Sequence, residues 1–327
     1  MRAGLKNLLA AVSRSFYLTI RVLPPALRTP VGLAYLLART SDTVADSAGA
    51  PPELRLELLR QMGEALRGRG PLPGFSLLAP GVSDPSERTL LEQAGTLFAL
   101  LAATPPEDRE EIAWVLDEIL RGQKLDLTRF GCNGDGRVRA LNTAEELDDY
   151  TYSVAGCVGE FWTRICSKHL TNYAPGTSAE ALLKLGASFG KGLQLVNILR
   201  DAPADLANGR CYLPSQELGA APEALRTNPA LARPVCDRWM ARAREHLDDG
   251  LRYLEAIRPW RLRLACFLPW ALGVRTLGLI ERSRPLETAH RVKVTRKEVR
   301  RLLFLGLLGA FSPFALRRAA ARVQKRD

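Results

Sequence analysis

Apolar residues recur along this chain at intervals of three and four. Leu33, Leu36, Leu37 and Thr40 form one series, Leu54, Leu58, Met62 and Leu66 a second, and Ile112, Val115, Leu116 and Ile119 a third. That spacing lines one face of a helix. Sustained period-two alternation between turn signals is hard to find, so strands are not expected. The breaks are polar or rich in Pro and Gly. Residues 68–85 contain several of both and predict a loop. Pro105 and Pro106, followed by Glu107 and Asp108, predict a helix start with acids in its first turn. Residues 131–136 predict a turn, after which Asn142 and Thr143 offer an N-cap with Glu145 and Glu146 just inside. Residues 173–178 predict another loop, 209–214 the end of a helix, and Pro285 a break before the last pair. No repeat, low-complexity tract or long linker divides the chain. The expectation is about a dozen helices in one all-α bundle spanning 1–327 as a single domain.

Composition agrees with a folded protein: 46% hydrophobic and 25% charged residues in 327, enough to bury a sizeable core. The six cysteines form no CxxC and have no histidine at zinc-ligand spacing, so reduced, mostly buried thiols in a cytoplasmic protein are expected. Arg2 and Lys6 precede only a short apolar run that Arg14 interrupts, so no secretion signal is expected. The nearest approach to a spanning helix is residues 302–316, which are too few and contain Ser312 and Pro313.

Charge sharpens the picture at one end. The net charge is +11, and from Arg291 onward eleven Lys/Arg stand against two acidic residues. The excess therefore sits beside the most apolar segment. Residues 291–327 are expected to touch an anionic membrane surface, making the protein peripheral to the membrane. The plainer reading is a core helix with a solvated basic end. No nucleic-acid partner is expected.

The candidate chemistry lies in two acidic pairs. Asp42 and Asp46 end an apolar helical run that begins near Pro30, and Asp201 and Asp205 repeat the spacing after residues 182–199. Residues four apart share a helix face. Two close carboxylates repel, so a cation between them is favoured, and oxygen ligands suit Mg²⁺ completed by phosphate oxygens. One such pair is most often a solvated surface. Two pairs, with Arg39 before the first and Arg200 and Arg210 around the second, describe a site for a diphosphate with an apolar tail. Pro203 falls inside the second pair and is expected to kink or tighten its helix.

These segments resemble the squalene/phytoene synthase family in order along nearly the whole chain. Ser13-Arg14-Ser15-Phe16 resembles its N-terminal element, and residues 35–46, YLLARTSDTVAD, its first aspartate-rich segment. Residues 150–159, YTYSVAGCVG, resemble its central stretch, and residues 194–214, QLVNILRDAPADLANGRCYLP, its second aspartate-rich segment. The resemblance implies an all-α isoprenoid synthase helical bundle that joins two prenyl diphosphates head to head with magnesium. It implies that Asp42, Asp46, Asp201 and Asp205 hold Mg²⁺. Arg39, Arg200, Arg210, Ser13 and Arg14 would hold diphosphate. Gln194 and Asn197 would bind substrate or order the metal shell. Phe16 and Tyr35 would line the pocket, and Tyr150 would serve the first half-reaction. Relatives often carry glutamate immediately before the last aspartate of each pair, where this chain has Ala45 and Ala204.

The implied chemistry needs a stabilised leaving diphosphate and a dry pocket for an allyl cation. Aromatic faces such as Phe16, Tyr35, Tyr150 and Tyr152 suit that cation, with core packing as the alternative for each. Gly156 and Gly159 leave room for a prenyl tail or allow close helix packing. His169, His246 and His290 show no partner pattern and receive no catalytic role. Residues 292–296, VKVTR, resemble a segment near the NADPH region of squalene synthases, which makes Lys293 and Arg296 the candidates for the cofactor's phosphates. The expected reaction is therefore condensation of two farnesyl diphosphates through presqualene diphosphate to squalene, with NADPH. The alternatives are a phytoene-type enzyme joining two geranylgeranyl diphosphates without reductant, and a non-catalytic basic protein of the membrane surface.

Overall fold

The computed structural model describes residues 3–12, 14–47, 49–131, 136–284, 286 and 292–325. Contacts divide the chain into two compact units, Met1–Cys132 with Arg164–Thr171, and Asn133–Thr163 with Asn172–Asp327.

The first unit carries α1 (Ala3–Val12), α2 (Arg14–Val22), α3 (Pro25–Asp46), α4 (Pro52–Leu66), α5 (Pro85–Glu92), α6 (Ala94–Ala102) and α7 (Pro106–Phe130). Four of these begin on proline, whose missing N–H costs nothing in the first turn. Asp84 caps α5 by accepting from the Ser86 and Glu87 amides. The predicted loop over 68–85 contains only two short 3₁₀ turns, Phe75–Leu77 and Ala79–Gly81. α3 starts earlier than its apolar run suggests and passes through Pro30. It buries Leu33, Leu36 and Leu37 completely, and α7 buries Ile112 and Leu116 in the same way. The Arg55 guanidinium, itself buried, donates to the Ala45 carbonyl at 2.7 Å. It thereby satisfies an end-of-helix acceptor beside Asp46.

The second unit carries α8 (Ala144–Thr151), a π-helical turn (Tyr152–Gly156), α9 (Cys157–His169), α10 (Ala179–Ala207), α11 (Ser215–Leu218) and α12 (Arg233–Ala256). It ends with α13 (Trp260–Ser283), α14 (Arg296–Ala310) and α15 (Pro313–Gln324). From Arg164 onward α9 belongs to the first unit. Thr143 caps α8 as expected, accepting from the Glu146 amide. α10 lies unusually close to its neighbours. A Cβ on Gly159 would stand 1.9 Å from the Gly186 carbonyl oxygen, and one on Gly190 would stand 2.2 Å from that of Ala155. At Gly159 the obstacle is backbone, which points to close helix packing there. α12 and α13 are locked by Trp270, whose buried indole donates to the Leu247 carbonyl at 2.8 Å.

Two expectations change. A pair of parallel two-residue strands, β1 (Arg139–Ala140) and β2 (Arg210–Cys211), is present. Two residues are too few to display a period-two pattern. The helix that meets the length and composition of a membrane span is α13, not residues 302–316; its best window has a mean hydropathy of 1.4 and is half buried. It buries Leu262, Phe267, Trp270 and Leu277, as a core helix does. The five described cysteines are buried free thiols.

Candidate active site

In the first unit, Arg39, Asp42 and Asp46 project from the last turns of α3. Asp46 is exposed and Asp42 partly so. The Arg39 guanidinium lies 3.8 Å from the Asp42 carboxylate and pairs closely with Glu87 of α5. Gln123 of α7, itself buried, donates from Nε2 to Asp42 Oδ1 at 2.7 Å, while its Oε1 has no partner among the described residues. Burial pushes the Asp42 carboxyl up to about 6, although 45% of its side-chain surface stays open to water. Arg39 and Gln123 pull the other way, and the carboxylates of Asp46 and Glu87 push with burial. An ionised Asp42 is therefore uncomfortable in the protein alone. Tyr35 stands two turns before Asp42, half-buried on the same helix.

In the second unit, Gln194, Asn197, Asp201 and Asp205 follow one another along α10 at helical spacing. The Asn197 amide lies 3.5 Å from Gln194 Oε1. Arg200 forks onto its neighbour, with Nε 2.9 Å from Asp201 Oδ1 and a terminal nitrogen 2.6 Å from Oδ2. α10 continues without a break through Pro203 to Ala207, so both aspartates of the pair sit on one helix. Arg210 stands in β2, pinned by the Arg139 pairing, and shares a small pocket with Asp205, Ile198, Ala202 and Tyr212. Tyr150, at the end of α8, stacks on Tyr212 with ring centroids 5.0 Å apart. Tyr152 lines a different, open cleft of about 430 Å³ with Asp148, Lys191, Trp239 and Arg242, and its hydroxyl lies 3.3 Å from Glu160.

Lys293 and Arg296 are exposed, the first on an extended segment and the second at the start of α14, which Thr295 caps. Ser13, and the side chains of Arg14 and Phe16, lie outside the described residues, as do Cys132, Pro285, His290 and Arg291.

Sequence reasoning missed Glu87, Gln123 and Tyr212. Only Tyr212 lay inside a quoted segment. Two histidines do have partners. His169 lies 2.8 Å from Asp108, and His246 Nδ1 lies 2.7 Å from Ser188 Oγ, which donates to Asp249. Burial pushes His246 down to about 4, so it stays neutral near pH 7 within its helix crossing.

Each acidic pair fits Mg²⁺. Carboxylate oxygens are hard donors, and this ion commonly takes one or two of them and fills its shell with phosphate and water oxygens. A cation would also offset the cost of ionising Asp42. Among the described residues no three His, Cys, Asp or Glu cluster as a complete metal cage.

The family model described as squalene/phytoene synthase matches residues 9–298. The squalene synthase of Saccharomyces cerevisiae is 30% identical over 285 residues, covering 85% of this chain and 61% of that protein. The chain spans about three-fifths of the length of the curated relatives it matches. Of solved structures, TcSQS in complex with a ligand gives a TM-score of 0.76 at 24% identity, over 98% of this chain and 90% of that one. A dehydrosqualene synthase gives 0.62 at 21% identity, over 93% and 94%. At these identities the likeness is one of fold, and it is the all-α isoprenoid synthase bundle.

Proposed function

The chain belongs to the squalene/phytoene synthase family, and on that premise we propose that it joins two farnesyl diphosphates head to head through presqualene diphosphate and reduces the product to squalene with NADPH. One observation carries the reading. Each acidic pair ends an apolar helix and has an arginine on its first aspartate, Arg39 at 3.8 Å from Asp42 and Arg200 at 2.6 Å from Asp201. Such a set offers a diphosphate both its metal ligands and its guanidinium partners.

Asp42 and Asp46 would hold Mg²⁺ in the first unit, and Asp201 and Asp205 in the second. When bound, the ion neutralises charge developing on the departing diphosphate. Arg39, with Ser13 and Arg14, would bind diphosphate oxygens in the first unit, as would Arg200 and Arg210 in the second, and Arg200 would exchange its fork on Asp201 for one on phosphate. The C–O bond of the first substrate breaks with its electron pair on the diphosphate. The alkene of the second substrate then attacks the allyl cation. Phe16 and Tyr35 would line the pocket, and Gln194 and Asn197 would orient the substrate head. Tyr150, supported by its stack on Tyr212, would receive or relay the proton lost as the cyclopropane closes. A phenol with an ordinary pKa near 10 is a weak base, so the released diphosphate would share that task. Lys293 and Arg296 would grip the phosphates of NADPH. The same reading puts the protein in the cytoplasm, peripheral to a membrane, as a single domain over 1–327.

The test is product analysis with Mg²⁺ and farnesyl or geranylgeranyl diphosphate, with and without NADPH. Squalene from farnesyl diphosphate only when NADPH is present is the expected result. Phytoene from geranylgeranyl diphosphate without reductant, or a terminal hydroxylated product, would overturn it. Lys293→Ala with Arg296→Ala should raise the KM for NADPH about tenfold while presqualene diphosphate still accumulates.

Gln123 gives a separate prediction. In Gln123→Leu the hydrogen bond to Asp42 is lost and the unpartnered Oε1 leaves the core, so the fold should hold. The Mg²⁺ concentration for half-maximal turnover should rise about tenfold, the usual scale for groups that orient metal ligands. Mg²⁺-dependent thermal stabilisation in the presence of a diphosphate should shift in parallel. An unchanged Mg²⁺ titration would remove Gln123 from the site.

A further inference from the structure

We propose that the α14–α15 hairpin is a lipid-docking element that presses an aromatic tip into an anionic bilayer. This rests on the peripheral placement above and not on the reaction.

Seven of the eleven large hydrophobic side chains exposed among the described residues gather here. Leu303, Phe304, Leu307 and Leu308 lie on the outer face of α14, Phe311 and Phe314 flank the turn, and Trp260 stands beside them. Phe304, Phe311 and Phe314 are 61%, 68% and 70% exposed. Apolar surface gathered in this way marks an interaction site, whereas singly scattered residues do not.

The outer face is not a sign of poor packing. α14 buries Leu302, Leu305, Gly306, Gly309 and Ala310 on its inner face. A Cβ on Gly306 would stand 2.8 Å from the Phe267 ring, so the helix sits hard against α13. Buried Arg263 reaches the Ala310 carbonyl at 3.4 Å and fixes the turn from below. Trp260 stacks on Phe311 with centroids 5.4 Å apart. The tip is thus preorganised and still uncovered.

Charge selects the occupant. Behind the tip, Arg300 and Arg301 on α14 and Arg318 on α15 are exposed, while Arg317 pairs with Glu255 at 2.8 Å. Arg318 also lies over the Phe314 ring and Arg261 over Trp260, so cations border the aromatic surface directly. A second copy of this chain would bring like charges together. A bilayer with anionic headgroups receives the aromatic tip in its interface and the arginines at its phosphates.

The test is co-sedimentation of the full chain with phosphatidylcholine vesicles, with or without phosphatidylglycerol. Binding should require the anionic lipid. The triple variant Phe304→Ser, Phe311→Ser, Phe314→Ser should bind about tenfold less, and Arg300→Gln with Arg318→Gln roughly fivefold less per arginine removed. Circular dichroism, melting temperature and farnesyl diphosphate consumption in detergent should match the parent. Undiminished binding by the triple variant would overturn this surface while leaving peripheral placement intact. No vesicle binding by the parent would overturn both. A lipid-free dimer of the parent that the triple variant dissolves would reassign the surface to self-association. Vesicle binding without prenyl diphosphate consumption would leave the docking element standing and reject the reaction.

Discussion

On the proposed reaction, Asp42→Ala and Asp201→Ala should each lower the consumption of farnesyl diphosphate by about 10³-fold, with the loss in kcat, because each would remove a group whose role grows as the diphosphate departs. The two variants differ in stability. Asp201 is the fork partner of Arg200, and its loss strands a half-buried guanidinium. Asp42 is the opposite case. Its carboxyl is pushed up to about 6, chiefly by burial, with Asp46 also pushing upward. A raised folded-state pKa means that the native state holds the proton more tightly than the unfolded chain. That contribution is fully present below the ordinary aspartate range near pH 4 and is lost as pH rises through 6. Metal-free protein should lose stability across that window, by about 1 kcal/mol after discounting for the open edge of the side chain. In Asp42→Ala this pH dependence should flatten, so the inactive variant unfolds at an equal or higher urea concentration at pH 7. Mg²⁺ with inorganic diphosphate should raise the melting temperature of the parent and not of the variant. If both variants still consume substrate, these aspartates are not metal ligands.

The helical character of the chain could be read from spacing because it is local. Pro106, Thr143 and the apolar series along α3 and α7 act within a turn or two of themselves. The same holds for Asp42 with Asp46 and for Asp201 with Asp205, which share a face by periodicity alone. What lay hidden is the surroundings that set their chemistry. Gln123 and Glu87 meet the first segment across separations of 81 and 48 residues, and a lone glutamine or glutamate carries no mark of its distant neighbour. His246 finds Ser188 at a separation of 58, so its partner could not appear in any short motif. Pro203 does not end the helix. A proline removes one hydrogen bond, but packing along a long helix can hold the rest in place, and α10 carries Asp205 past it. The basic tail was legible as charge next to apolar residues. Only the structure separates the inner face of α14, which packs, from the outer face, which does not.

Gly159→Ala should destabilise the protein by about 3 kcal/mol, near the upper end for overpacking, measured as a lower urea midpoint. The added methyl would fall 1.9 Å from the Gly186 carbonyl oxygen and 2.4 Å from its carbon. The obstacle is backbone, so no rotamer change relieves it; α9 and α10 must separate. Gly190→Ala should act in the same direction, since its Cβ would meet the Ala155 oxygen at 2.2 Å. Separation would also displace Gln194, Asn197 and Asp201, which follow on α10, so residual activity should fall through kcat as well as through loss of folded protein. Gly278→Ala in α13 is the control with opposite sign. No described residue lies within 4 Å of its Cβ, and replacing a helical glycine by alanine typically stabilises by about 0.5–1 kcal/mol. The comparison also decides between the two roles for the central glycines. If Gly159 made room for a prenyl tail, its alanine variant would keep its urea midpoint and change which chain length is accepted. If it permits the helix crossing, the midpoint falls and the preference between farnesyl and geranylgeranyl diphosphate stays. The backbone contacts require the second outcome.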